Sequence, residues 1–182
     1  HRDRWAAHQF LFPHRHRKPS PPFHREIVAD FWSRLRFSMI LAYRGSAKST
    51  LGEEDMSLAA LYREHHNIVI IGASEGRAAE RIAAIAFELT TNQRILGLFG
   101  EQKGSTWTQT KLVTTGNICL QAVGRDQDLR GIKYLDWRPD LVFVDDFEDK
   151  DSVQTPEGRT KTLRWFLSEL LPACDPNAKI RI

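Results

Sequence analysis

Phe37-Ser38-Met39-Ile40-Leu41-Ala42-Tyr43-Arg44-Gly45-Ser46-Ala47-Lys48-Ser49-Thr50 is the stretch on which the fold turns. Phe37 to Tyr43 is mostly apolar and reads as a short buried strand. It leads without a linker into a turn of small residues. Within that turn Gly45 is free to adopt a positive φ, and Lys48 is followed by two hydroxyls. Two further apolar runs lie downstream. Asn67 to Gly72 carries Ile68-Val69-Ile70-Ile71, and Asp140-Leu141-Val142-Phe143-Val144 ends in Asp145 and Asp146.

Helical spacing separates these runs. Ile27, Phe31 and Leu35 predict a helix over Phe23 to Arg36. Leu58 and Leu61 predict another from Ser57 to His65, and Gly52-Glu53-Glu54-Asp55 argues against a continuous helix from Lys48. Ser74 caps a helix to about Thr90, with Ala78, Ile82, Ile85, Ala86 and Leu89 on one stripe. Pro156 opens one to about Leu171. Trp107 to Thr115 and Asn117 to Val123 alternate about a Thr-Gly-Asn turn, which predicts a β-hairpin. Residues 124–139 read as a polar loop, and Lys179 to Ile182 as a strand inside which the sequence stops. Strands alternating with helices predict an α/β layer structure with a mainly parallel sheet. Ligands of such sheets bind beyond the carboxyl ends of the strands, where 44–50 and 145–149 fall.

Composition narrows the class. A chain of 182 residues with 41% hydrophobic content suits one domain with at most an appendage. Cys119 and Cys174 are widely separated and form no Cys-x-x-Cys pair, which argues against a zinc ribbon or a disulfide framework. The apolar runs are too short for a bilayer-spanning helix, and no signal peptide is visible. The net charge of +3 is uneven: residues 1–44 hold nine Lys/Arg against three acids, and five of the seven histidines. This basic head reads either as a polyanion contact or as a solvated tail, and Pro19-Ser20-Pro21-Pro22 reads as a linker. Trp5, Trp32, Trp107, Trp137 and Trp165 read as core or interface anchors.

The turn at 44–50 has the parts of a phosphate-binding loop: inward backbone N–H groups, a lysine, a hydroxyl for Mg²⁺ and a following helix N-terminus. It departs from G-x-x-x-x-G-K-[ST], because Ala42 and Ala47 stand where the pattern has glycine. The acidic strand end at Asp145-Asp146, with Glu148 two residues on, has the composition of the Mg²⁺-holding and water-orienting element of NTPases. Asp145, Asp146, Glu148, Asp149 and Asp151 also admit a two-metal nuclease reading.

Taken together, these stretches resemble the ATPase domain of the terminase large subunit, the DNA-packaging motor of tailed bacteriophages. Phe23-His24-Arg25-Glu26 is similar to the helix leading into the first sheet strand. Tyr43 to Thr50 resembles the terminase variant of Walker A, which keeps an arginine and an early glycine and drops the later one. Gly124-Arg125-Asp126-Gln127-Asp128-Leu129-Arg130-Gly131 resembles the loop before Walker B. Arg138-Pro139-Asp140-Leu141-Val142-Phe143-Val144-Asp145-Asp146-Phe147-Glu148-Asp149 resembles Walker B and is the most specific match.

The resemblance implies a P-loop NTPase fold of the ASCE/RecA-like kind: a three-layer sandwich with a mainly parallel central sheet and a β-hairpin. It divides the chain into a basic, Pro-rich arm or linker (1–22) and an ATPase domain (23–182). It implies ATP and Mg²⁺ bound by Arg44, Gly45, Ser46, Ala47, Lys48, Ser49 and Thr50. Lys48 would lie on the β/γ-phosphates and Arg44 on the γ-phosphate. Ser49 and Asp145 would hold Mg²⁺, Asp145 from a strand adjacent to that of the loop. Either Asp146 or Glu148 would orient water, with Glu148 favoured by its reach. Arg130, or else Arg125, would act as an arginine finger toward a neighbouring subunit, and Arg130 reads equally as a structural loop arginine. Phe23 and His24 are candidates for the adenine pocket.

The implied partners are double-stranded DNA, a homo-oligomeric ring, a portal and a small terminase subunit, in the cytoplasm of a phage-carrying bacterium, with no membrane. The family continues with a coupling strand and a nuclease domain. The expectation is therefore a fragment or a truncated gene product, poor in ATP hydrolysis and unable to cut DNA. A non-catalytic packaging or assembly module is a further alternative.

Overall fold

The structure, a computed structural model, describes residues 3–125, 127–145 and 155–182. Its elements in chain order are α1 (Arg4–Leu11), α2 (Pro22–Trp32), β1 (Phe37–Ser38), α3 (Lys48–Leu61), β2 (Asn67–Gly72), α4 (Glu75–Thr91) and α5 (Gln93–Phe99). Then come β3 (Lys103–Trp107), β4 (Lys111–Thr114), β5 (Cys119–Gly124), β6 (Leu141–Val144), α6 (Pro156–Trp165) and β7 (Lys179–Arg181). The helix that begins at α6 runs on through a π turn, Phe166–Leu170, into a last α turn, Leu171–Ala173.

The strands form one mixed sheet in the order β1-β7-β6-β2-β5-β4-β3. The first five run parallel, and β5-β4-β3 is antiparallel. Both faces are covered, which is why β2 and β6 read as unbroken apolar runs rather than alternating ones. Ile68 and Ile70 of β2, with Leu141 and Phe143 of β6, point into one core with α1 to α5. Val69, Ile71, Val142 and Val144 point into the other, beneath Leu170, Trp165 and Phe166. Helices on both faces make an α/β arrangement consistent with three layers.

Several expectations need correction. The apolar run 37–43 is not a buried strand. Only Phe37 and Ser38 pair with β7, the Ile40 N–H extends the contact to the Ile182 carbonyl at 2.7 Å, and Leu41 is 90% exposed. β1 lies at the edge of the described sheet, so one of its faces is open. Trp107 does not open the hairpin. It ends β3, a strand the sequence reading missed, and the hairpin is β4–β5 about Thr115-Gly116-Asn117, with Asn117 at φ +59°.

Gly52 to Asp55 do not interrupt α3, which runs unbroken from Lys48 to Leu61 and is buried from Leu51 onward. Gly52 sits where a Cβ would come within 2.6 Å of the Phe143 ring, so α3 lies flush on β6 only because that position has no side chain. The three acids are each met by a base. Arg4 Nε donates to Asp55 at 2.8 Å, His8 Nδ1 lies 2.8 Å from Glu54, and Arg15 donates to Glu53 at 2.9 Å. The bases of the N-terminal segment thus join α3. Trp5, Leu11 and Phe12 are buried beside them, so residues 3–16 pack as part of the core rather than as a tail.

At the opposite edge of the parallel region, the Arg181 guanidinium is fully buried. It donates to the carbonyls of Phe31 in the last turn of α2 and of Ser33 and Leu35 just after it, tying α2 to β7.

Candidate functional site

A cavity of about 820 Å³ opens at the carboxyl ends of β2 and β6. Its rim is the turn from Arg44 to Thr50, and Asp145, Arg77 and Arg81 also line it.

Two residues of the turn hold positive φ angles. Gly45 has φ +87°, and Ala47, which begins α3, has φ +62° and ψ +16°. Ala47 therefore holds the left-handed conformation that the glycine of the usual pattern supplies at no steric cost. α3 begins at Lys48 beside the cavity, with no side-chain cap and no acid in its first turn to offset the positive end of its dipole. The Ser46 N–H donates to the Tyr43 carbonyl at 3.1 Å, and His24 Nε2 lies 2.9 Å from the Ser46 carbonyl. His24 also packs edge-to-face on Phe23, which packs on Tyr43. The aromatic pair considered for a base pocket thus buttresses the turn from behind.

Asp145 follows β6 and is nearly buried. Its Oδ1 accepts the Ser49 hydroxyl at 2.8 Å, and its Oδ2 lies 3.2 Å from Arg81 Nε. Contrary to the expectation of an adjacent strand, β7 lies between β6, which bears Asp145, and β1, which leads into the turn. The segment after β1 stays with β7 as far as the Ile40 N–H bond to the Ile182 carbonyl, and the Ser49 hydroxyl still reaches Asp145. An oxygen separation of 2.8 Å is close to that of two neighbouring corners of a Mg²⁺ octahedron, whose bonds of about 2.1 Å set such corners about 3.0 Å apart. Ser49 and Asp145 are thus a fitting donor pair for that ion.

Arg81 is the residue the sequence reading missed. It bridges Asp145 and Glu53, with Glu53 Oε1 accepting at 2.9 Å. Burial works against its charge, but the hydrogen bond and proximity to Glu53, with Asp145 beyond, outweigh this and raise its pKa. The only signal was the Arg77/Arg81 spacing, which puts two cations one turn apart at the start of α4. From Arg81 the ion pairs continue through Glu53, Arg15 and Glu88 to His14, a line from the cavity to the N-terminal segment.

The other expected residues lie elsewhere. Arg130 is exposed, 3.7 Å from Glu169, beside a separate cavity of about 270 Å³. Arg125 follows β5, and its N–H donates to the Gly72 carbonyl at 3.1 Å. Asp126, Asp146, Glu148, Asp149 and Asp151 lie outside the described residues. No protein-family model matches the chain, and no curated protein matches it in sequence.

Proposed function

We propose that this chain is the ATPase module of a DNA-packaging motor, a P-loop NTPase of the terminase large-subunit kind. The observation that supports it most is the Ser49 hydroxyl bonded to the Asp145 carboxylate at 2.8 Å, on the rim of the cavity bordered by 44–50. Lys48 and the first N–H groups of α3 bind the β- and γ-phosphates, and Arg44 reaches the γ-phosphate. Ser49 and Asp145 hold Mg²⁺, which when bound neutralises charge on the phosphate oxygens. Arg81 Nε, 3.2 Å from Asp145 Oδ2, pairs with this carboxylate and fixes its position. Asp146 or Glu148 orients the attacking water, and Arg130 serves a neighbouring subunit's site. Double-stranded DNA is gripped through its backbone without regard to sequence by a ring of such subunits. The rival nuclease reading draws on Asp146, Glu148, Asp149 and Asp151, which lie outside the described residues.

The experiment is calorimetric titration with ATP and Mg²⁺. The parent is expected to bind one nucleotide per chain, and Lys48→Ala to bind at least tenfold more weakly. No heat with the parent, or equal affinity in both proteins, overturns the proposal.

A further inference from the structure

Outside the cavity, on the far side of α3, three ligating side chains converge. His8 of α1, His16 of the following loop and Glu54 of α3 bring their donor atoms within 4.8 Å of one another. His8 and Glu54 have fully buried side chains, and that of His16 is 8% exposed. His8 Nδ1 lies 2.8 Å and His16 Nε2 lies 3.0 Å from the same oxygen, Glu54 Oε2. This arrangement leaves two buried polar atoms without a hydrogen-bond partner: His8 Nε2 and Glu54 Oε1. An orphaned oxygen beside two imidazole nitrogens is a set one donor richer than its hydrogen bonds use.

We propose that His8, His16 and Glu54 form a structural zinc-type site, taking one divalent transition-metal ion through His8 Nδ1, His16 Nε2 and both oxygens of Glu54. The donor chemistry is two imidazoles and a carboxylate, which suits Zn²⁺ and Co²⁺ and not Mg²⁺ or Ca²⁺. Bonds of about 2.0–2.2 Å set donors from different side chains about 3.3 Å apart, so the three side chains, whose donor atoms lie within 4.8 Å of one another, adjust about the ion as it binds. One outer contact of the kind that orients a metal-bound histidine is made, and a second group stands just beyond hydrogen-bond distance. His8 Nε2 faces Asp55 Oδ1 at 3.6 Å, with Asp55 fixed by Arg4, and His16 Nδ1 lies 3.2 Å from the Ser20 hydroxyl. Burial closes the site to exchangeable water and makes it structural: the ion pins residues 8 and 16 to α3, the helix that begins at Lys48. The site is independent of the nucleotide reading.

The test uses the whole chain, stripped with a chelator, and the metal alone. Zn²⁺ titration by calorimetry is expected to show one ion per chain at micromolar or tighter affinity, with Tm rising as Zn²⁺ is added. Mg²⁺ at the same concentrations is expected to do neither. Co²⁺ is expected to give visible absorption bands typical of a four-coordinate nitrogen–oxygen site. His16→Gln keeps a hydrogen-bonding group beside Glu54 but loses the ligand. It is expected to melt like the metal-free parent and to lose at least tenfold in Zn²⁺ affinity. If His16→Gln fails to fold, the cobalt spectrum of the parent still decides. Absence of those bands, no Zn²⁺-dependent rise in Tm, or equal Zn²⁺ affinity in a folded His16→Gln would overturn the site.

Discussion

Ser49 Oγ donates to Asp145 Oδ1 across 2.8 Å, joining two residues 96 positions apart in the chain. If both are Mg²⁺ ligands, removing either must weaken nucleotide binding only when Mg²⁺ is present. Ser49→Ala is expected to lose about tenfold to a hundredfold in affinity for MgATP, the worth of one charge-assisted contact, and little for ATP in the presence of a chelator. Calorimetry with and without Mg²⁺ checks this. An equal loss in both conditions would mean that Ser49 serves the turn and not the ion.

Arg81 stands between two buried carboxylates, Asp145 and Glu53. Arg81→Gln leaves both without their shared cation, and the expected cost is about 1–3 kcal/mol, lowered from the fully buried case because the guanidinium is partly exposed. Arg81→Lys keeps the charge but not the two-way bridge, so it falls between parent and Arg81→Gln. Urea unfolding of the three proteins gives the ranking.

Ala47 at φ +62° bears a strain that glycine would not. Ala47→Gly is expected to stabilise the fold by about 1 kcal/mol, the left-handed penalty less the extra freedom glycine gains when unfolded. A lower urea midpoint than the parent would contradict the backbone geometry of the turn.

Asp140 supports the start of β2. Burial favours its neutral form, but His65 and the N–H groups of His66 and Asn67 outweigh this and hold the carboxyl below the usual carboxylate range. A lowered carboxyl stabilises the fold above its unfolded value of about 3.9, and that contribution is lost as pH falls through the folded value. Asp140→Asn is expected to cost about 1–2 kcal/mol at pH 7. It should also flatten the acid limb of the stability curve, as thermal melts from pH 7 to 3 would show.

Burial pushes the thiols of Cys119 and Cys174 up to about 11. Both are buried, Cys119 in β5 and Cys174 after the last helical turn, so neither is expected to react with a disulfide reagent at pH 8 until the protein unfolds. Rapid labelling of the native chain would mean that β5 or the turn after the π segment opens readily.

What the sequence revealed and what it hid have physical causes. β2 and β6 are legible because strands covered on both faces carry unbroken apolar runs, and Ser74 marks α4 because its hydroxyl accepts the Arg77 N–H. β3 is hidden because Lys-Gly-Ser-Thr-Trp has no apolar face; its backbone pairs with β4 while its side chains stay partly in water. The continuity of α3 is hidden because Glu53-Glu54-Asp55 reads as a solvated break. The bases that make their burial possible lie 38 to 51 residues away, and no local pattern encodes them. The turn at 44–50 was legible by composition, but the role of Ala47 was not, since only a backbone angle shows that alanine does the work of glycine. Arg81 escaped because it flanks the apolar stripe of α4, where a cation ordinarily belongs to solvent.

The sheet order sets a schedule for synthesis. β7 separates β1 from β6, so the two halves of the Ser49–Asp145 contact are held at their proper spacing only after residues 179–181 have been laid between them. A chain emerging from the ribosome at about 5–20 residues per second exposes the lysine turn many seconds before that happens. Between the emergence of Ser49 and that of residues 179–181, the two halves of the contact wait for the strand that spaces them.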